Sequence, residues 1–493
     1  MVLGWRFGLG RLVVRELPGG PREGPSRFWG IPVALFLRDS GGEREPHVSG
    51  VATFAGSFDV AQAERLLWRA GFGPRKGEAE ALARLGLDNA VHTLTYPDRE
   101  QLVGPAPKDE KGRPLAPYDA WGHDHVWWID RMVRTSRPLV ERMTLVWHDW
   151  FATSDAGVNS QRLMLNQNQL LRQHALGSFP ELLTQVTKDP AMLLWLNGSD
   201  NSKWSPNENY AREMLELFTL GAGRGYTESD VRQNARALTG FRNDWKRGVG
   251  SVNFRYDPSA HDAGTKTIFH KRGAFTWKDS ARLAVLQPNH PSFFVTKLWS
   301  YFVPTPPDDA TRRALERMYV TSDKRIKPVV TAILKHPALY DGPRMVKSPA
   351  VFNAGLLRLL ARGVDTTAYA WLGSMAGQRL FSPPNVAGWD ESRWLDTATW
   401  RGRWWIATYV LKPYALDPST ATQPFDAQAL LDAALDFWNK PTLGDATRSA
   451  LLGFAQSALG DAGRTSWKRK QYAVMAQNAL RHLIAVSPEM QAA

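Results

Sequence analysis

The chain has 493 residues, 43% of them apolar and 22% charged, an ordinary globular composition with ample apolar surface for a large core. No apolar run approaches the ~18 residues that a membrane-spanning helix needs, and the absence of cysteine excludes disulfides, thiolate catalysis and cysteine-ligated metal. Lys and Arg outnumber Asp and Glu by 61 to 48, a formal charge of +13, but the excess is dispersed and no groove-reading motif accompanies it, so nucleic acid is not an expected partner.

Residues 1–57 are rich in Gly, Pro and Arg without a sustained period and read as a leader or disordered arm. Phe28–Leu37 has the apolar character of a short signal core, but Glu16 and Glu23 precede it and no clear small-x-small cleavage site follows. From Phe58 the pattern turns helical, and residues 58–240 read as an N-terminal helical half. Its first stretch is helix, a Gly-Phe-Gly-Pro break at 71–74, helix, a Gly break, helix. A polar, Pro-rich loop follows at 97–117. Further helices are expected at about 119–135, 137–153, 161–176, 179–187 and 207–220, then one from Thr227 as N-cap to Gly240 as stop.

Residues 241–278 break the helical period. They are short, aromatic and alternating, which predicts an irregular or β-hairpin insertion. Residues 279–414 form a C-terminal helical half, interrupted by an irregular stretch at Phe381–Asp396, and 415–493 a separate helical tail. The expected fold is therefore mainly α: a large multi-helix globular body with a small irregular or β insertion and a helical C-terminal tail.

Polar residues in otherwise apolar helices mark where chemistry could sit. In Pro206–Gly221, Tyr210, Met214, Leu217 and Phe218 share a face, while Glu208, Arg212 and Glu216 step by four along the other side, the spacing of a solvated ion-paired stripe. Glu213 falls at the edge of the apolar face, where burial would raise its carboxyl unless a cation or metal compensates. Asn207, after Pro206, is a good N-cap. In Arg137–Ser154, Met143, Val146, Trp147 and Trp150 make the apolar face, and His148 shares a stripe with Glu141 and Thr144 that orients it toward another helix, beside Asp149. In His261–His270 the loop residues His261, Asp262 and Lys266 either converge on one point or form an Asx-turn with Lys266 exposed. His174 lies near a helix end, where it favours the dipole. No HExxH, GxSxG or P-loop is present.

These stretches carry a resemblance. The ordered motifs RLLWRAGFGP (65–74), RMTLVWHDWFATS (142–154), LRQHALGSFPELL (171–183), DPAMLLWLNG (189–198), PNENYAREMLELFTLG (206–221), YTESDVRQNARALTGF (226–241), HDAGTKTIF, VKSPAVF and FSPPNVAGW resemble the bacterial domain-of-unknown-function 1800 family over about residues 58–415. The resemblance implies a helical, often exported protein and carries no assigned activity. Two positions depart from the family pattern: Trp150 stands where members commonly carry a second histidine, and His270 where most carry glycine. The first departure weakens any reading in which two histidines two apart bind a metal.

Two functions follow as expectations. In the first the chain is an acid–base or metal-assisted hydrolase-like enzyme acting on a cell-envelope or extracellular polymer. His148, Asp149, Glu213, His261 and Asp262 would be its catalytic groups. Asn207, Glu208, Arg212, Lys266 and His174 would bind substrate, Trp147, Trp150 and Trp389 would supply aromatic walls, and a divalent metal is an option without assigned ligands. In the second the same polar groups are a structural network, and a Trp-rich surface binds an envelope polymer or a partner protein.

Overall fold

The computed structural model describes residues 50–493; Phe28–Leu37 and the rest of the leader up to residue 49 lie outside the described residues. Residues 50–57, assigned above to the arm, dock on the body. Phe54 donates its N–H to Lys335 O at 2.8 Å, and its ring lies 4.7 Å from that of Tyr340.

The chain then runs through α1 (Val60–Ala70), α2 (Glu78–Thr95), α3 (His123–Arg134), α4 (Pro138–Trp150), the short α5 (Asp155–Val158), α6 (Gln161–Gln173), α7 (Phe179–Thr187), α8 (Pro190–Trp195) and α9 (Asn209–Glu213). The anticipated Gly break in the second stretch is a kink inside α2 at Gly86, whose φ of 73° is left-handed. α9 continues directly into a π-helix, Met214–Thr219. α10 (Glu228–Ala237) starts at the expected cap: Thr227 and Asp230 form a reciprocal capping box.

The insertion is two antiparallel hairpins. β1 (Phe241–Lys246) pairs with β2 (Gly250–Tyr256), with a register shift between Arg242 and Asp244, and β3 (Lys266–Ile268) pairs with β4 (Lys271–Gly273). Helices resume with α11 (Trp277–Val285), α12 (His290–Ser300), α13 (Asp309–Thr321), α14 (Ile326–Lys335), α15 (Pro337–Tyr340), α16 (Pro349–Leu359), α17 (Ala368–Met375) and α18 (Thr397–Leu411). The tail is α19 (Ala427–Phe437), α20 (Asp445–Gly460), α21 (Ser466–Ala485) and α22 (Pro488–Gln491). The fold is mainly α, and no helix among the described residues is long and apolar enough to cross a membrane.

Two apolar cores lie side by side. The first is built from α1, α2, α4, α7, the π-helix and α10–α15, with Trp147, Trp150, Phe179, Phe218 and Phe294 among its buried residues. The second gathers α3, α16, α17 and α18 together with the tail, through Trp128, Phe352, Phe381, Trp389, Ile406, Trp438 and Leu480. The tail is thus not separate in packing. Trp438 is almost fully buried and donates its indole N–H to Arg481 O at 2.8 Å, because α19, α20 and α21 cannot bury their apolar faces on one another alone. α4 has Val146 and Trp147 in the first core and Leu145 in the second, so its C-terminal turn lies where the two meet.

Candidate functional site

The last turn of α4 presents consecutive polar residues to different surroundings. His148 turns inward. Its ring centroid lies 5.3 Å from Trp128, 5.7 Å from Phe381 and 5.4 Å from Trp389, and its Nε2 is buried without a hydrogen-bond partner. Burial, reinforced by nearby His125, pulls the imidazole down to about 3, so it is neutral at physiological pH. Phe381 holds this cage from an unusual backbone position: its φ of 59° is a real cost for an aromatic residue, and its carbonyl accepts from Asp155 N at 2.7 Å. Beside the cage, His125 Nδ1 meets Asp124 Oδ1 at 2.8 Å, and its Nε2 accepts from Arg379 at 3.2 Å.

Asp149 turns the other way. Its Oδ1 accepts the main-chain N–H of Trp389 at 2.8 Å, and its Oδ2 accepts the hydroxyl of Tyr301 at 2.7 Å. Around it stand Arg142, whose guanidinium reaches Tyr301 O at 3.4 Å, Lys297 from α12, and Glu391 from the short 3₁₀ turn Glu391–Arg393. Burial raises the Asp149 carboxyl against the pull of its hydrogen bonds and of Lys297 and Arg142. Burial and the neighbouring Asp149 push Glu391 up to about 7. Burial pulls Lys297 down to about 8, with Asp149 acting in the opposite sense.

Asp149, Lys297 and Tyr301 are only half-buried and Glu391 is exposed, yet burial is the largest influence on each of them. Together they form a polar cluster that is partly open to water. This cluster lies at the seam of the two cores. It brings together residues from three distant segments with mutually perturbed proton affinities, the pattern expected where acid–base chemistry is done.

The stretch Pro206–Gly221 forms a wall next to it. A π-helix leaves carbonyls without regular partners, and here three successive ones are met by side chains. Leu217 O accepts from Lys297 Nζ at 3.0 Å, Phe218 O from Trp150 Nε1 at 3.1 Å and Thr219 O from His290 Nδ1 at 2.9 Å. Lys297 also stands 4.5 Å from the centroid of the Trp150 ring.

The other candidates do not join this cluster. Arg212 pairs with Glu208, Glu216 and Glu228 in a surface network. Asn207 is not the N-cap expected of it: Glu208 holds that position without a side-chain capping bond, and Asn207 Oδ1 accepts from Asn209 N at 2.9 Å in a turn just before α9. Glu213 is half-buried, and burial and Glu216 raise its carboxyl against the pull of Arg212. His261 Nδ1 contacts Thr239 O at 2.9 Å. Asp262 is bound by Arg236 and closes an Asx-turn on Gly264 N at 2.8 Å. Lys266 is buried, not exposed, and donates to Asp262 O and Gly264 O. That loop is an internally satisfied turn. Trp147 and Trp150 are fully buried in the first core, so they offer no face to a ligand, whereas Trp389 reaches Asp149 through its backbone N–H. His174 caps the end of α6 away from these contacts. Among the described residues no group of three or more His, Asp or Glu is arranged to hold a metal ion.

Sequence reasoning missed Arg142, Lys297, Tyr301 and Glu391. Glu391 had one signal, its position two residues after Trp389 in an irregular stretch between helices. Arg142 and Lys297 sit on helix faces of ordinary periodicity, and Tyr301 directly follows the last residue of α12.

The family model for the protein of unknown function DUF1800 matches residues 65–492. The chain belongs to this DUF1800 family. The match extends through the tail, in keeping with the core the tail shares with α3 and α16–α18. No curated protein and no solved structure matches the chain.

Proposed function

We propose that this DUF1800 member is a hydrolase-like acid–base enzyme whose reacting groups are Asp149 and Glu391. The observation that carries the reading is the cluster itself: two neighbouring carboxyls have raised proton affinity, and one of them, Asp149, lies beside a lysine with lowered affinity. A carboxyl near 7 is matched to proton donation at neutral pH, which gives Glu391 the role of general acid. Asp149, oriented by Trp389 N and Tyr301 Oη, keeps lone pairs free to direct a water molecule. Lys297 and Arg142 are cations placed to stabilise developing negative charge. A cell-envelope or extracellular polymer as substrate follows from the family's frequent export, and no step here is routed through a metal.

The test is dye release from labelled peptidoglycan and labelled cell-wall polysaccharide, with a chromogenic ester as a small-substrate control. Turnover on one of these is expected to fall about 10²- to 10⁴-fold in Asp149→Asn and in Glu391→Gln, with both variants retaining native circular dichroism. No turnover on any arm, or turnover indifferent to both substitutions, overturns the reading.

A non-catalytic binding role is the second reading. It draws support from indoles left on the surface, with Trp121, Trp204, Trp245 and Trp467 each more than 60% exposed, and from the fully paired Arg236–Asp262–Lys266 turn. Retention of an inert polymer without turnover, lost when these indoles are replaced by alanine, would favour it.

A further inference from the structure

A second place in the molecule gathers charge without using it. Between α1, the segment that follows α15 and the end of the tail lies a pocket of about 160 Å³, lined by Glu64, Arg65, Trp68, Tyr340, Arg344, Lys347 and Glu489 among others. Arg69 and Arg403 stand behind Lys347 and add to its positive surroundings.

These cations make no ion pair with a side-chain carboxylate among the described residues. Their hydrogen bonds go mostly to main-chain carbonyls. Arg65 reaches Gly342 O at 2.5 Å and Pro343 O at 2.9 Å. Arg69 reaches Phe302 O, Pro343 O and Ala493 O, and Arg403 reaches Trp394 O, Lys347 O and Gln491 Oε1. Lys347 is 5% exposed. Its Nζ donates to Met490 O at 3.0 Å and sits 3.7 Å from the centroid of the Trp68 ring, which leaves donor capacity free. Arg344 is exposed on the rim.

The nearby acids balance only part of this charge: Asp341 acts on Arg65, Glu489 on Arg344 and Glu64 on Lys347. Glu489 is engaged by Gly444 N at 2.9 Å and by the Thr447 hydroxyl, and Glu64 accepts from Trp68 Nε1 at 3.3 Å. Cations that outnumber the carboxylates near them, with Lys347 buried among them, cost free energy that a bound anion would recover. Burial pulls Lys347 down to about 7; Glu64 opposes this, and Arg344, Arg403 and Arg69 add to it.

We propose that this pocket is a binding site for a small oxyanion, a carboxylate or a phosphoryl group of a larger ligand, held by Arg65, Arg344 and Lys347. Arg65 and Arg344 supply planar donors suited to such oxygens, and Lys347 supplies the point charge at the floor. Glu64 sets a limit on the ligand's own charge at that wall. The site is distinct from the Asp149 cluster and does not depend on its chemistry.

Isothermal titration of the full chain with sulfate, as a non-titrating stand-in for a phosphoryl group, and separately with acetate, tests this at constant ionic strength in chloride. At pH 8 the anion should draw a proton onto Lys347, so the heat should vary with the ionisation enthalpy of the buffer. Saturable binding of one anion is expected, weakened about tenfold in Arg344→Gln, with proton uptake lost in Lys347→Met. The tighter of the two probes identifies the source of the oxyanion. Arg344→Gln alters an exposed side chain, so its result stands even if Lys347→Met does not fold. No saturable heat from either probe, or binding equally tight in Arg344→Gln, overturns the proposal.

Discussion

The main-chain N–H of Trp389 donates to Asp149 Oδ1 at 2.8 Å, and Gly388 is what lets the two approach. Gly388 has φ of 95°, and a Cβ there would lie 2.3 Å from Asp149 Oδ1 and 2.9 Å from Asp149 O. Neither oxygen can withdraw, because one belongs to a helix end and the other is fixed by its bonds. Gly388→Ala is therefore expected to destabilise the protein by about 2–4 kcal/mol, combining left-handed strain with a displaced hydrogen bond. Urea unfolding measures this. A cost below about 0.5 kcal/mol, the usual range of a neutral surface change, would mean that the loop is not seated on Asp149.

Glu391 should give the fold a recognisable pH dependence. Its folded value, about 7, lies above the ordinary glutamate value of roughly 4.3. The folded state therefore binds the proton more tightly than the unfolded chain. Its contribution is most favourable below about pH 4 and is lost as pH rises through about 7. Glu391→Gln is expected to flatten the decline in melting temperature across that window and to leave the acid side little changed. An unaltered slope between pH 4.5 and 7.5 would place the carboxyl in ordinary solvent. The exposure of Glu391 argues for a small amplitude, since water screens part of the effect.

Asp149 and Asp262 should respond in opposite ways to the same isosteric change. Asp262 is tied to Arg236 at 2.6 Å and to Gly264 N at 2.8 Å, so Asp262→Asn is expected to cost about 1–3 kcal/mol in stability and to leave turnover within about twofold, because the residue lies outside the group proposed to react. Asp149→Asn relieves a carboxyl that burial penalises and should be tolerated in stability while abolishing turnover. Paired thermal melts and dye-release rates separate the two. Loss of turnover in Asp262→Asn at unchanged stability would move the site to the insertion.

The sequence was informative where a property is local and silent where it is a meeting of distant segments. The Thr227 cap, the hairpin insertion and the Gly86 break were legible because each is set by neighbouring residues. Asp149 entered the sequence reading only as the neighbour of His148. Its partners, Tyr301 and Trp389, are 152 and 240 residues away, and periodicity assigns a face to a residue without naming what that face meets. The π-helix at Met214–Thr219 was invisible for a related reason. Its residues read as an ordinary amphipathic helix, and Leu215, off the expected apolar face, is fully buried. Lys266 reads as a surface lysine by type, but the turn it closes buries it. Trp147 and Trp150 read as members of the apolar face of their helix and, in the enzyme reading, as ligand walls; their indole N–H groups bond Ala175 O and Phe218 O inside the core.

The buried pair Glu141–Arg172 supplies the sharpest stability prediction. Glu141 accepts from Arg172 Nη2 at 2.6 Å and Nε at 2.8 Å, and from Trp128 Nε1 at 2.6 Å. Burial alone would raise this carboxyl, but Arg172, Arg131 and the indole hydrogen bond outweigh it and hold it below its ordinary value. A depressed carboxyl stabilises the fold above the unfolded value of roughly 4.3 and loses that contribution as pH falls through the folded value. Glu141→Gln leaves Arg172 buried without its counter-charge and should cost about 3–5 kcal/mol at neutral pH. The gap to wild type should narrow in acid, as the wild-type glutamate takes up its proton. Adding Arg172→Met removes the orphaned charge and should restore part of the loss, because an apolar replacement of both partners is often close to neutral. Urea unfolding of the two single variants and the double variant at pH 7 and pH 4 closes the cycle. Additive losses in the double variant would show that Glu141 acts through the Trp128 hydrogen bond and not through Arg172.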